Sequence, residues 1–161
     1  MPIAPAEFKT ALSRWGSSVA IVTVRDPTGA PLGLTATSFA SLSLDPPLVL
    51  FCLGHDSTHR EAIESAAGFA VHILRQGQDA LSTLFASRGA DKFAGLTWRA
   101  GHHGAPLIDG CLAVLQCRTH SRFPGGDHTI VVGAVEEAEV HEGDPLLYYR
   151  GAYRRLAEGT G

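Results

Sequence analysis

The sequence predicts a mainly β fold with peripheral helices, built as a closed or nearly closed antiparallel barrel. Six or more short stretches have strand composition and are bounded by Gly, Pro and Asp turn signals. Only three short segments show helical spacing of apolar residues. The chain has 161 residues, 45% of them hydrophobic and 18% charged, which is enough for one core. No repeat, linker or charge run divides it, so we expect a single domain over 1–161.

Composition excludes several classes of protein. A net charge of -3 argues against general binding to nucleic acid, so an anionic ligand must be bound by local donors. No apolar run approaches the ~20 residues of a membrane span, and we expect no signal peptide. Cys52, Cys111 and Cys117 lie in apolar strand-like runs without CxxC or other metal spacing. We expect buried free thiols, no metal site and a cytoplasmic location.

The first third of the chain predicts one helix and three strands. Phe8, Leu12 and Trp15 recur at helical spacing, which predicts an amphipathic helix over 5–15 that Gly16 ends. Strand-forming residues follow at 19–25 and, after the turn at 26–29, at 31–39. The apolar run 48–53 predicts a central strand that begins after two prolines, because proline cannot donate a ladder hydrogen bond.

The middle of the chain predicts two helices around another strand. Thr58 and Glu61 match a capping box, so a helix is expected from about 59 to 66 or 67. A strand follows at 69–74, and Leu81, Leu84 and Phe85 indicate a helix over 76–87. The stretch 88–104 predicts irregular structure.

The last third predicts a long hairpin. Strand patterns cover 112–122 and 129–141, and Gly and Pro at 123–127 predict the turn between them. A short strand at 146–149 then precedes a polar tail.

Five hydroxyl side chains are concentrated between the apolar runs 19–24 and 48–53. They suit a ligand rich in carbonyl and phosphate oxygens, because hydroxyls and nearby backbone N–H groups donate at close range. On composition alone, the more common explanation is a Ser/Thr-rich edge strand and loop that satisfies its own backbone, and it is the order of the residues that favours a ligand. The residues are Thr35, Thr37, Ser38, Ser41 and Ser43.

The order of several separated motifs resembles the flavin reductase family, the small reductase components of two-component flavin monooxygenases. The motifs extend from about residue 8 to 153. They are WGSSVAIVT at 15–23, TATSFASLSLDPP at 35–47, ST at 57–58, KF at 92–93, GDHT at 126–129 leading into VVGAV at 131–135, and PLLYYRGAY at 145–153.

The resemblance implies a fold and a function. The fold would be the FMN-binding split β-barrel, an antiparallel and Greek-key-like homodimer with its cofactor near the subunit interface. The activity would be hydride transfer from NADH or NADPH to FMN or FAD, and the reduced flavin would supply a separate monooxygenase. The absence of GxGxxG agrees with a site that is not of the Rossmann type.

The resemblance also implies a set of flavin contacts. The backbone of the TATS motif would line the isoalloxazine ring, and hydroxyls further along would reach the ribityl chain or phosphate. A helix N-terminus after the ST motif would bind phosphate. Thr58 would also fit as a cap of its own helix, and both can hold, because N–H groups left free by the cap remain available. The cofactor-binding residues expected on this basis are Thr35, Ala36, Thr37, Ser38, Ser41, Ser43, Ser57, Thr58, Lys92 and Phe93.

The remaining expected contacts concern the nicotinamide nucleotide. By resemblance, His128 of the GDH motif is the catalytic residue, which orients the nicotinamide or donates to reduced flavin. Tyr148, Arg150 and Tyr153 would flank a dinucleotide by stacking and phosphate pairing. Strand alternation predicts that Tyr148 and Arg150 share one face and Tyr149 takes the other.

Two alternatives remain open at this stage. The barrel could retain flavin as an electron-transfer module without free NAD(P)H turnover, or it could bind no flavin at all. The sequence does not decide between FMN and FAD, or between NADH and NADPH.

Overall fold

The computed structural model describes residues 1–89 and 91–157. Its helices are α1 Pro5–Leu12, α2 Arg60–Ser65 and α3 Asp79–Ala86. Its strands are β1 Ser17–Ser18, β2 Ala20–Arg25, β3 Pro31–Ala36, β4 Ala40–Ser43, β5 Leu48–Gly54, β6 Gly68–Ile73, β7 Trp98–Ala100, β8 Pro106–Ile108, β9 Ala113–Gly125, β10 His128–Val140, β11 Leu147–Tyr149 and β12 Ala152–Arg154.

A seven-stranded antiparallel sheet forms the body of the protein. Its order is β3-β2-β6-β9-β10-β5-β4, with small sheets β1-β11-β12 and β7-β8 beside it. Within residues 1–89 and 91–157 the two edge strands, β3 and β4, do not pair with each other. The mainly β, antiparallel fold with peripheral helices is therefore confirmed.

Side chains from distant strands share one core, which shows that the sheet curls. Val22 of β2 and Phe51 of β5 are fully buried in the same cluster as Phe69 and Val131, although their strands are second and sixth in the order. The rings of Phe51 and Phe69 meet edge to face at 5.3 Å. A second cluster packs against the other face of the sheet. The strand β2 is consequently buried on both sides, which explains its continuous apolar run.

The long hairpin turns more tightly than the sequence predicts. β9 runs on to Gly125, which pairs with His128, so the turn consists of Gly126 and Asp127 alone. Gly126 has φ 69°. A two-residue hairpin turn needs a positive φ at its first position, and glycine adopts this conformation readily. The predicted turn over 123–127 was too long, because Phe123 and Pro124 remain in the ladder.

The helices are shorter than predicted, and α1 lies exposed on the surface. It ends at Leu12, because the N–H groups of Arg14 and Trp15 bond three residues back in tight turns. None of its residues is buried. No helix of residues 1–89 and 91–157 combines the length and the apolar character that a bilayer crossing needs.

The capping box predicted at Thr58 was wrong. His59 occupies the N-cap of α2, and no side chain caps the helix. The Ser57 hydroxyl instead accepts a hydrogen bond from the His59 N–H at 3.3 Å, which forms a local turn before α2 begins.

Five short strands were missed: β1, β4, β7, β8 and β12. The chain bends at Thr37 and continues as β4 along β5, where the main chain of Cys52 binds the Ser38 hydroxyl. β7 and β8 pair with each other across the stretch predicted to be irregular, and β12 pairs with β11 in the predicted tail. Arg150 lies in the β11–β12 turn with φ 53°. The predicted shared face of Tyr148 and Arg150 was therefore wrong.

The three cysteines are free. Cys111 and Cys117 are buried as predicted, and burial raises the pKa of their thiols to about 11 and about 12. Cys52 differs, because it is only half-buried.

Gly33 provides the close approach between β3 and α3. A Cβ built there lies 2.6 Å from the ring of Phe85 and 3.1 Å from the Val22 carbonyl oxygen. We expect Gly33→Ala to lower the free energy of unfolding by about 1–3 kcal/mol, because the overpacked core must shift. Urea unfolding measures it, with Gly16→Ala as control, since a Cβ there makes only an ordinary 3.6 Å contact. Equal loss in both variants would contradict the prediction.

Candidate functional site

A cavity of about 400 Å³ opens where β3 and β5 end. The loop before α2, the last turn of α3 and the first residue of β10 complete its wall. This volume lies within the range of ligand pockets. Among the sequence-predicted site residues, it brings together Thr35, Ala36, Thr37, Ser38, Ser57, Thr58, Lys92 and His128.

Two of the cavity hydroxyls are engaged by the protein itself. Thr35 Oγ1 donates to the Ser82 carbonyl oxygen at 2.6 Å, which joins β3 to α3. Ser38 Oγ accepts from the Cys52 N–H at 2.9 Å, which fixes the bend to β5. These side chains therefore build the wall.

Backbone N–H groups provide the free donors of the wall. Within the described chain, the N–H groups of Thr37, Ser38 and Thr58 donate to no backbone or side-chain acceptor. They lie outside the helices and strands, so no ladder uses them. A ligand with carbonyl or phosphate oxygens fits such donors.

Lys92 is a buried cation that ties three segments together. Only 7% exposed, it donates to the carbonyl oxygens of Phe85 at 2.8 Å and Gly33 at 3.1 Å. Its Nζ also lies 3.5 Å from His59 Nε2. Burial lowers the pKa of Lys92, while burial and then the Lys92 charge lower the pKa of His59. The Lys92 ammonium group gives this wall a positive charge.

An ion pair stands at the cavity mouth. Arg88 Nη2, just after α3, lies 3.0 Å from Asp56 Oδ2 in the loop before α2. Both side chains are largely exposed, so the pair contributes little to stability. Arg88 and Asp56 therefore remain available to a charged ligand.

His128 begins β10 at the edge of the cavity. Its Nδ1 lies 2.7 Å from Asp127 Oδ1. A Cβ built on Gly54 lies 3.6 Å from its Nε2, so the ring stands over that glycine. The hydrogen bond from His128, followed by its charge, lowers the pKa of Asp127.

The other predicted residues lie away from this cavity. Ser41 and Ser43 belong to edge strand β4, opposite Val49 and Leu48 of β5. Phe93 is in the core, with its ring 5.2 Å from that of Phe85.

The predicted C-terminal contacts also lie elsewhere. Tyr148 and Tyr153 stack edge to face at 5.5 Å on the small sheet, and Arg150 is in the turn. The Tyr153 hydroxyl donates to Ser82 Oγ at 2.8 Å, so this residue reaches the cavity wall only indirectly.

Sequence reasoning missed several residues of the site. Cys52, Asp56 and Arg88 line the cavity but gave no separate signal in the sequence. Asp127 lies within the quoted GDHT motif, but its contact with His128 was not predicted.

The family model described as flavin reductase like domain matches residues 12–157. The reductase component of 4-hydroxyphenylacetate 3-monooxygenase from Thermus thermophilus is 45% identical over 150 residues, 92% of this chain and 95% of that protein. The FMN reductase (NADH) SmoA from Agrobacterium fabrum is 42% identical over 150 residues, 93% and 85% of the two chains.

A solved structure agrees in fold. The NADH:FAD oxidoreductase SgcE6 of Streptomyces globisporus C-1027, in complex with NAD and FAD fragments, superposes with a TM-score of 0.92 at 35% identity. The match covers 100% of this chain and 99% of that one. A family model over nearly the whole sequence and a shared fold lead to one conclusion: the chain belongs to the flavin reductase family.

Proposed function

We propose that the protein is an NAD(P)H-dependent flavin reductase that transfers a hydride from reduced nicotinamide to FMN or FAD. The observation that carries the proposal is the cavity, which is lined by residues with free backbone N–H groups and by a buried lysine. The isoalloxazine ring presents carbonyl and nitrogen acceptors to such donors, and its ribityl phosphate is an anion. The residues present therefore fit a flavin.

Bound flavin would supply the redox chemistry as the acceptor of the hydride from reduced nicotinamide. The chain would supply binding and alignment. The N–H groups of Thr37 and Ser38 would hold the flavin ring, the Ser57–Thr58 loop would hold its phosphate, and His128 would hold the nicotinamide.

The relatives support the choice of substrates and partner. One is named an FMN reductase that uses NADH, and another structure carries NAD and FAD fragments. A third is the reductase component of a monooxygenase. We propose NADH as the donor, an exchangeable flavin, and a separate monooxygenase that consumes the reduced flavin.

The protein is further proposed to be a homodimer, folded as a single split-barrel domain over 1–161. Phe8, Leu12 and Trp15 support the dimer, because they are 51%, 56% and 78% exposed on and beside α1. A second subunit would cover this surface and bring Tyr148, Arg150 and Tyr153 close to a bound dinucleotide. Free cysteines support a cytoplasmic location.

The decisive experiment follows the absorbance of NADH and of NADPH, each with FMN, FAD and riboflavin. We expect flavin-dependent oxidation, with flavin removable by desalting. Protein that keeps its flavin through desalting but oxidises neither donor would instead be an electron-transfer module. Failure to bind FMN or FAD at micromolar concentration would refute both functions.

Thr37 offers the cleanest test of the cavity. Its side chain is exposed, whereas the hydroxyls of Thr35 and Ser38 support the wall. We expect Thr37→Trp to fill the cavity and to weaken FMN binding at least tenfold in a fluorescence titration, with an unchanged melting temperature. His141→Trp is the control, because it lies beyond the opposite end of β10. Unchanged FMN affinity in Thr37→Trp would place the flavin elsewhere.

A further inference from the structure

The turn between β9 and β10 places a carboxylate directly beside the His128 ring. Asp127 is the second residue of the two-residue turn, and its carbonyl oxygen accepts from the His55 N–H at 2.9 Å. The turn is thereby attached to the loop that follows β5. Asp127 Oδ1 then lies 2.7 Å from His128 Nδ1.

This contact determines which ring nitrogen carries the proton. An ionised carboxylate only accepts hydrogen bonds, so Nδ1 must be the protonated nitrogen. In a neutral imidazole Nε2 is then the acceptor. Nε2 lies over Gly54 at the cavity edge, as the 3.6 Å approach to a built Cβ shows.

We infer that Asp127 is a positioning residue that keeps His128 in its Nδ1–H tautomer, so that Nε2 accepts a hydrogen bond from the nicotinamide carboxamide. The inference rests on the proposed function for its ligand, but the tautomer itself does not depend on it. The Asp127 side chain is 93% exposed, so the pair adds little stability and acts through orientation.

A second carboxylate lies near the same ring. A Cβ built on Gly54 lies 2.9 Å from Asp56 Oδ1 in the loop after β5. Arg88 pairs with that carboxylate and compensates its charge. Among the described residues, Asp127 is the carboxylate that bonds Nδ1 of His128.

The first test reads the tautomer without flavin. The measurement is the 15N chemical shifts of the His128 ring in the full-length chain, at a pH where this ring is neutral. The signals are assigned by their loss in His128→Gln. We expect them to show that Nδ1 carries the proton. In Asp127→Asn they should move toward the Nε2–H form, because an amide can donate to Nδ1. Protonated Nδ1 persisting in Asp127→Asn would overturn the inference.

The second test reads binding of the donor. We expect Asp127→Asn to raise the KM for NADH about tenfold, the effect of one lost hydrogen bond, with kcat within twofold and FMN affinity unchanged. Asp127→Glu should restore part of the loss, and the exposed Asp144→Asn should behave as wild type. A fall in kcat at unchanged KM would overturn the inference. Wild-type protein inactive with both nicotinamide donors would refute the proposed function but leave the tautomer test valid.

Discussion

Lys92→Met is expected to lower the free energy of unfolding by about 2–4 kcal/mol. Methionine fills a similar volume but leaves the buried carbonyl oxygens of Gly33 and Phe85 without a donor, which costs about 1–3 kcal/mol for each unsatisfied group. Because those bonds join β3 to the end of α3, we also expect FMN binding to weaken at least tenfold. Urea unfolding and fluorescence titration measure the two effects.

Lys9→Met makes the same chemical change at an exposed position of α1 and is the control. If Lys92→Met matches this control in stability and FMN affinity, Lys92 is a solvated cation and the assignment is wrong. Lys92→Arg separates charge from geometry, because a guanidinium keeps the charge but is too large for the same two carbonyl oxygens.

His72 should make the protein acid-sensitive. Its ring is fully buried between β2 and β8, where Nδ1–H donates to the Ile21 carbonyl oxygen at 3.2 Å and Nε2 accepts from the Ile108 N–H at 3.0 Å. Burial lowers its pKa from 6.5 to about 4, against opposing contributions from the Ile21 bond and Glu139. The unfolded chain therefore takes up a proton first. The neutral His72 ring makes its full contribution to the free energy of unfolding above pH 6.5. This contribution, roughly 3 kcal/mol, is lost as the pH falls to about 4.

The variant His72→Gln isolates this effect, because an amide can donate and accept but does not titrate in that range. We expect it to be less stable than wild type at pH 7.5, and to lose less stability between pH 6.5 and 4. Urea unfolding at several pH values measures the slope, with exposed His141→Gln as control. Equal slopes for wild type and His72→Gln would show that His72 is not the sensitive group.

Local chemistry made the central strands and the hairpin predictable. The run that became β5 is apolar and begins after two prolines, so its position followed from residues within it. The run that became β2 is buried on both faces, and its continuous apolar residues likewise predicted a strand. The missed strands β7 and β12 have three residues each, too few for alternation to be read.

The candidate site was also only partly predictable from the sequence. The TATS and ST motifs predicted their place on the cavity, because consecutive residues at a strand end or in one loop stay together. Arg88 and Asp56 are 32 residues apart, and only tertiary packing brings them to 3.0 Å. Ser41 and Ser43 were expected beside the ligand because they continue a hydroxyl-rich stretch, but the chain bends at Thr37 and they pair with β5 as part of β4, outside the cavity lining.

The position of Ser82 links the end of the chain to the inside of the molecule. Its carbonyl oxygen binds Thr35, and its hydroxyl binds Tyr153 on the last strand. Shortening the protein before Tyr153 therefore removes a support of the cavity wall that contains Thr35, because the hydrogen bond to Ser82 is lost. An affinity tag or fusion partner intended to leave the protein unperturbed belongs at the other terminus, or beyond a spacer that lets β12 remain paired.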